Sequence, residues 1–103
     1  MLTGKQKRYL RSLAMTQRPL INLGKNGLST TFVAGVVAAL NTHELIKISL
    51  LPTAEATAAQ TGAYLSQEIP GLEVAQVIGH SLVVYREAEK AADRKLSVTL
   101  KKL

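Results

Sequence analysis

Pro19-Leu20-Ile21-Asn22-Leu23-Gly24-Lys25-Asn26-Gly27-Leu28-Ser29-Thr30 decides the fold of this chain. An extended apolar segment, 19–23, runs into two glycines that bracket Lys25 and Asn26, and a hydroxyl residue follows. Ser29 or Thr30 can accept a hydrogen bond from the free backbone donors of a helix start. Behind them Val33, Val36, Val37 and Leu40 keep the i, i+3, i+4, i+7 spacing of a helix with one apolar face. The stretch reads as a short strand, a glycine turn and a helix.

Upstream, Thr3 followed by Gln6 forms a capping box that opens a first helix. At about 100° per residue, Tyr9, Leu10, Leu13 and Ala14 share one arc, while Lys5, Lys7, Arg8 and Arg11 share the opposite one. This helix ends near Met15, because Arg18-Pro19 favours extended backbone. Downstream, Leu45 to Leu51 alternates as a strand, with Ile46, Ile48 and Leu50 on one face and Lys47 and Ser49 on the other. Pro52 ends it. Thr53 is expected to cap a third helix that packs through Ala58, Gly62, Leu65 and Ile69 and closes at Pro70-Gly71. Leu72 to Ile78 and Ser81 to Arg86 read as strands joined by a two-residue turn, Gly79-His80.

The order is therefore αβαβαββ in one compact unit. Helices alternating with strands imply crossovers onto a shared sheet, and the final hairpin adds an antiparallel pair. The expected fold is α/β (α+β), with helices packed on a four-stranded mixed sheet. The domain is expected over 1–87. Beyond it, Glu87 to Leu96 can extend as a helix, whereas Leu96, Val98 and Leu100 alternate like a strand. Residues 88–103 read as a basic, partly ordered extension.

A chain of 103 residues suffices for one core, and 47% hydrophobic content argues against a disordered one. With aromatics at only 4%, that core must be built from Leu, Ile, Val and Ala. The absence of cysteine excludes disulfides and thiolate metal sites. The longest uncharged stretch, Asn26 to His43, is too polar to span a membrane, and the basic N-terminus lacks the apolar run of a signal peptide. A cytoplasmic location is expected.

The net charge of +6 is unevenly distributed. Before Glu44 the chain carries Lys5, Lys7, Arg8, Arg11, Arg18 and Lys25 and no acidic residue. From Glu44 to Glu89 acidic residues outnumber basic ones, and basic residues return from Lys90 onward. Such segregation makes one part of the molecule a positive field that attracts anions.

Glycine at 24 and 27 permits positive φ and leaves no side chain to hold a ligand's backbone away. The amides that follow start a helix at the positive end of its dipole, which suits a phosphate. Lys25 adds a mobile cation and Asn26 a donor. A G-x-x-G loop ahead of a helix is also how KH modules clamp a nucleic-acid backbone. By itself such a loop reads first as an ordinary tight strand-to-helix turn. The acid-free basic helix beside it in sequence favours phosphate binding. Lys47 either reaches the same surface or is a solvated strand position.

Other chemistries find little footing. No G-x-x-x-x-G-K-[ST] cradle is present, and His43-Glu44 starts an H-E-x-x-H pattern that Lys47 breaks. No carboxylate pair or nucleophile–base arrangement is visible, so no catalytic residue, metal or cofactor is expected. Tyr9, Phe32, Tyr64 and Tyr85 lie on different elements, which argues against a stacking platform. The helix after the glycine loop carries no Lys or Arg, which argues against a DNA-reading helix.

Four collinear blocks carry a family resemblance: Leu2-Thr3-Gly4-Lys5-Gln6-Lys7-Arg8-Tyr9-Leu10-Arg11, Leu23-Gly24-Lys25-Asn26-Gly27-Leu28, His43-Glu44-Leu45-Ile46-Lys47 and Leu82-Val83-Val84-Tyr85-Arg86. Together they resemble the CRM domain, the RNA-binding module of chloroplast splicing factors and of bacterial YhbY-like proteins. The resemblance implies a fold akin to the C-terminal domain of a bacterial translation initiation factor. It also implies RNA binding through Gly24, Lys25, Asn26 and Gly27 with the adjacent basic surface, and association with the precursor of the large ribosomal subunit. The expected contacts are these four residues with Lys5, Lys7, Arg8, Arg11, Arg18 and Lys47. A monomer that binds ribosomal RNA, with no membrane or small-molecule substrate, is expected. The competing reading is a ribosomal adaptor that holds an acidic protein partner by an edge strand or the basic tail.

Overall fold

Reciprocal hydrogen bonds at the first helix start set the pattern for the chain, which a computed structural model describes over residues 2–103. Met1, the first residue of the expected domain, lies outside the described residues. Gln6 N–H donates to Thr3 Oγ1 at 3.1 Å and Thr3 N–H donates to Gln6 Oε1 at 2.9 Å, opening α1 (Gly4–Ala14). Strand β1 (Ile21–Leu23) follows, and then α2 (Thr30–His43), where Ser29 Oγ accepts from Phe32 N–H at 3.1 Å. Of the two expected caps it is Ser29 that serves.

Strand β2 (Leu45–Leu50) leads to α3 (Ala58–Glu68), and β3 (Glu73–Ile78) turns into β4 (Ser81–Tyr85). The cap of α3 is Thr57 rather than the expected Thr53. Gln60 stands three residues after Thr57 and completes a second reciprocal box, with bonds of 3.1 and 2.9 Å. Thr53 instead lies within a turn that Ala54 N–H closes on the Leu51 carbonyl at 2.9 Å. Gly79-His80 makes the hairpin turn as expected, with Ile78 opposite Ser81 and Gly79 at φ +53°.

The sheet is mixed, in the order β1-β2-β4-β3. β1 and β2 run parallel, while β4 is antiparallel to both β2 and β3. A bulge between Val74 and Gln76 interrupts the β3–β4 register. Alternation sorts β2 and β4 to two faces. Ile46, Ile48, Leu50, Leu82 and Val84 join Val36 and Leu40 of α2 and Leu65 of α3 in one core cluster. Leu45, Val83 and Tyr85 join Leu10 and Ala14 of α1 in another, on the opposite face. The first cluster's buried residues are all aliphatic, as expected, while the second adds the aromatic Tyr85 to its aliphatic residues. Each fully buried leucine contributes roughly 1.5–3 kcal/mol.

The second cluster also takes in Leu100 of α4 (Leu96–Lys101). The strand-like alternation of Leu96, Val98 and Leu100 thus folds as a helix. Nor is 87–96 a continuous helix, since only a 3-10 turn at Ala91–Asp93 occurs before α4. Leu100 is buried, whereas Val98 points to solvent.

Glu44 joins α2 directly to β2. It has a left-handed backbone, φ 62°, where glycine is the usual residue. Its carboxylate is buried and accepts from Ala88 N–H on Oε2 and from Lys95 and Ser97 N–H on Oε1, at 2.9, 2.9 and 3.2 Å. These three donors fasten the C-terminal segment to the sheet and offset the cost of the backbone conformation.

Candidate nucleic-acid interface

Gly27 N–H donates to the Gly24 carbonyl at 3.1 Å, which folds the loop into a four-residue turn at the end of β1. Gly27 has φ +68°, so its backbone alone calls for glycine; a Cβ there would meet nothing within 4 Å. Gly24 is under no such constraint, since its φ is not positive and the nearest atoms lie at ordinary contact distance. A Cβ would stand 3.4 Å from Leu51 Cδ1 and 3.5 Å from Thr53 Oγ1, in the connection that leaves β2.

An open groove of about 470 Å³ lies on this turn, lined by Asn22, Gly24, Lys25, Gly27, Ser29 and Thr31 among others. Ser29 satisfies one of the free amides at the start of α2, and the rest of the first turn is left to water or a ligand. No acidic residue occupies that first turn. Lys25 and Asn26 are exposed beside it. The arrangement is an open, acid-free groove at a helix start with one exposed cation beside it.

The expected basic residues divide into three groups. Lys5, Arg8 and Arg11 are exposed on α1 and Lys7 is half-buried, so the amphipathic helix forms as expected. Its apolar side, however, packs on the sheet face opposite α2, and no α1 residue lines the loop groove. The basic stripe and the loop are neighbours in sequence but not parts of one pocket.

Arg18 and Lys47 form the third group. They come together in a smaller groove of about 190 Å³ that Gln17, Leu20 and His43 also line. Leu20 N–H donates to the Lys47 carbonyl at 2.9 Å and holds the segment before β1 against β2. From its position in the sequence, His43 is expected only at a helix end. It is indeed the last residue of α2, but the turn at Glu44 brings it into this groove. An exposed imidazole followed four residues later by a strand lysine was the available signal.

Ion pairing further separates the cations. The salt bridges among the described residues are Arg86–Glu89 at 3.4 Å, Arg94–Glu87 at 3.7 Å and Lys101–Glu87 at 2.6 Å. Lys101 beside it holds the Glu87 carboxyl below its usual range. Lys5, Lys7, Arg8, Arg11, Arg18, Lys25 and Lys47 have no carboxylate partner among the described residues. The N-terminal positive field is therefore available to an outside anion, while part of the tail's charge is internally neutralised.

No helix among the described residues is long and apolar enough to cross a membrane, and no group of potential metal ligands occurs among them.

Comparison with known proteins adds to this geometry. The model of the CRS1/YhbY (CRM) domain matches residues 2–86. The probable RNA-binding protein YqeI of Bacillus subtilis is 36% identical over 90 residues, covering 87% of this chain and 93% of that protein. An RNA-binding protein of Haemophilus influenzae is 39% identical over 90 residues, covering 87% and 90%. The solution structure of a Staphylococcus aureus protein, described as a candidate RNA binder, superposes with a TM-score of 0.67 at 36% identity, covering 92% of this chain and 98% of that one. With a family model spanning all four strands and relatives matched over most of their length, the chain belongs to the CRS1/YhbY (CRM) domain family.

Proposed function

We propose that this protein is a non-enzymatic, cytoplasmic RNA-binding factor that grips an RNA backbone through the Gly24–Gly27 turn and the surrounding unpaired cations. The observation that carries the reading is the groove at the loop. A positive-φ glycine turn, the start of α2 and Lys25 converge on one open groove without an acidic side chain in its lining. The naming of the relatives as RNA-binding proteins supports RNA as the ligand. Ribosomal RNA of the precursor large subunit is the proposed target, on the family resemblance. The adaptor reading is weakened because two tail cations, Arg94 and Lys101, already pair with Glu87.

Sedimentation of cell extract tests both parts. The protein should travel with large-subunit precursors and return to the top of the gradient after nuclease treatment. Nuclease-resistant association would favour the adaptor. With purified RNA, three to five neutralised phosphates should give log K against log[salt] a slope of about −2 to −4. A flat salt response would overturn the backbone clamp.

A further inference from the structure

The groove at the other end of β1 has a different chemistry from the loop. Arg18 and Lys47 stand there without a carboxylate partner among the described residues. The adjacent acid, Glu44, is turned away, its carboxylate held by Ala88, Lys95 and Ser97 amides. Beside the cations, Leu20 leaves 52% of its surface exposed. His43 is exposed too. Tyr9, Phe32, Tyr64 and Tyr85 are at least half-buried, so His43 and His80 are the most exposed flat unsaturated rings among the described residues. Of these two, only His43 lines the groove of Arg18 and Lys47.

A flat ring, an exposed aliphatic side chain and two unneutralised cations match one unpaired nucleotide. Its phosphate would meet Arg18 and Lys47, and its base would lie on His43 and Leu20. Unstacked RNA bases are held on such rings, including histidine, with the backbone gripped by cations. We propose that this groove is a second RNA subsite, selective for an unpaired nucleotide adjoining the helix that the glycine loop clamps. The two subsites are separated by β1 and its flanks, roughly 20 Å at about 3.3 Å per residue. The bound RNA strand would run along this sheet edge, and the protein would select a helix flanked by a bulge or single-stranded end. This inference rests on the RNA-binding reading above.

Two RNA hairpins that differ by one bulged nucleotide test it, with the full chain and affinities read by fluorescence polarisation. The bulged hairpin should bind about five- to tenfold tighter, the lower range of base stacking on a ring. His43→Ala should bring that ratio close to one, and His43→Tyr, which restores a ring, should recover it. Joint Arg18→Gln and Lys47→Gln should reduce the salt slope by roughly 0.7 if one phosphate contact is lost. Thermal melting of each variant controls for folding. Equal affinity of the wild type for both hairpins, or a ratio that survives His43→Ala, would overturn the subsite while leaving the backbone clamp standing. Failure of the wild type to bind either RNA would overturn both.

Discussion

Lys95 N–H donates to Glu44 Oε1 at 2.9 Å, across 51 residues of sequence. With Ala88 and Ser97 donating to the same carboxylate, one buried side chain at the α2–β2 junction organises the C-terminal segment. The Ser97 hydroxyl is buried beside it without a partner of good geometry among the described residues.

Replacing that carboxylate should loosen α4. Glu44→Gln keeps the size but removes the charge, and it turns one acceptor atom into a donor facing backbone N–H. A loss of about 2–3 kcal/mol is expected, as for hydrogen bonds to a charged group. Thermal melting checks the total, and hydrogen exchange at the Lys95 and Ser97 amides shows whether the loss is local. Glu44→Gly should be less costly than Glu44→Ala, since glycine relieves the left-handed backbone by about 1 kcal/mol.

Acid should act through the same group. Burial raises the Glu44 pKa, but the Ala88, Ser97 and Lys95 amides that donate to the carboxylate outweigh it and hold the carboxyl below its ordinary 4.5. The unfolded chain therefore binds the proton more readily than the folded one. The contribution is complete well above pH 4.5 and is lost as pH falls through the lower folded value. Melting curves from pH 7 to pH 3 should show the decline, and Glu44→Gln should flatten it.

At the loop, Gly27→Asp should abolish RNA binding with the fold kept. A Cβ at this position meets no atom within 4 Å, so the cost is confined to the turn backbone, while the carboxylate repels phosphate. Lys25→Ala should weaken binding and reduce the salt slope by somewhat under ~1. Filter binding against salt, beside a melting curve, reads both. Undiminished binding by Gly27→Asp would place the contact elsewhere.

Gly62 offers a test of packing. In a helix interior Gly→Ala ordinarily stabilises by up to about 1 kcal/mol. Here the added Cβ would lie 3.0 Å from Val74 Cγ2 and 3.4 Å from Leu82 Cδ1. Val74 is β-branched and held in β3, so it yields poorly. Gly62→Ala should instead destabilise, by about 1 kcal/mol or more. A higher melting temperature would show that the α3–sheet contact relaxes freely.

Leu100→Ala should cost about 2–4 kcal/mol, because the side chain is 2% exposed within the α1-side cluster. A change near zero by denaturant unfolding would mean that α4 adds little to the core.

Local rules made much of the molecule legible. The Thr3–Gln6 box, the Ser29 cap, the Val36 and Leu40 face and the Gly79-His80 turn all depend on residues within a few positions of one another. The glycine loop was legible for the same reason, since its turn closes within four residues. Thr53 misled because a hydroxyl can cap only where the next residues continue as helix, and the reciprocal Gln60 favoured Thr57.

Long-range contacts decided the rest. Leu96, Val98 and Leu100 carry either period, and the Glu44 carboxylate with the open end of the α1-side cluster made them a helix. Which sheet face each helix covers is likewise not written in any one segment, so the separation of the α1 stripe from the loop could not be read in advance. The meeting of Arg18, His43 and Lys47 depends on the parallel pairing of β1 with β2 and on the left-handed turn at Glu44. By itself the sequence determined the elements and the glycine turn, because those are short-range hydrogen bonding and periodicity. Tertiary structure decided the assembly of the second groove and the docking of the tail, because both need partners dozens of residues away to be brought together and shielded from water.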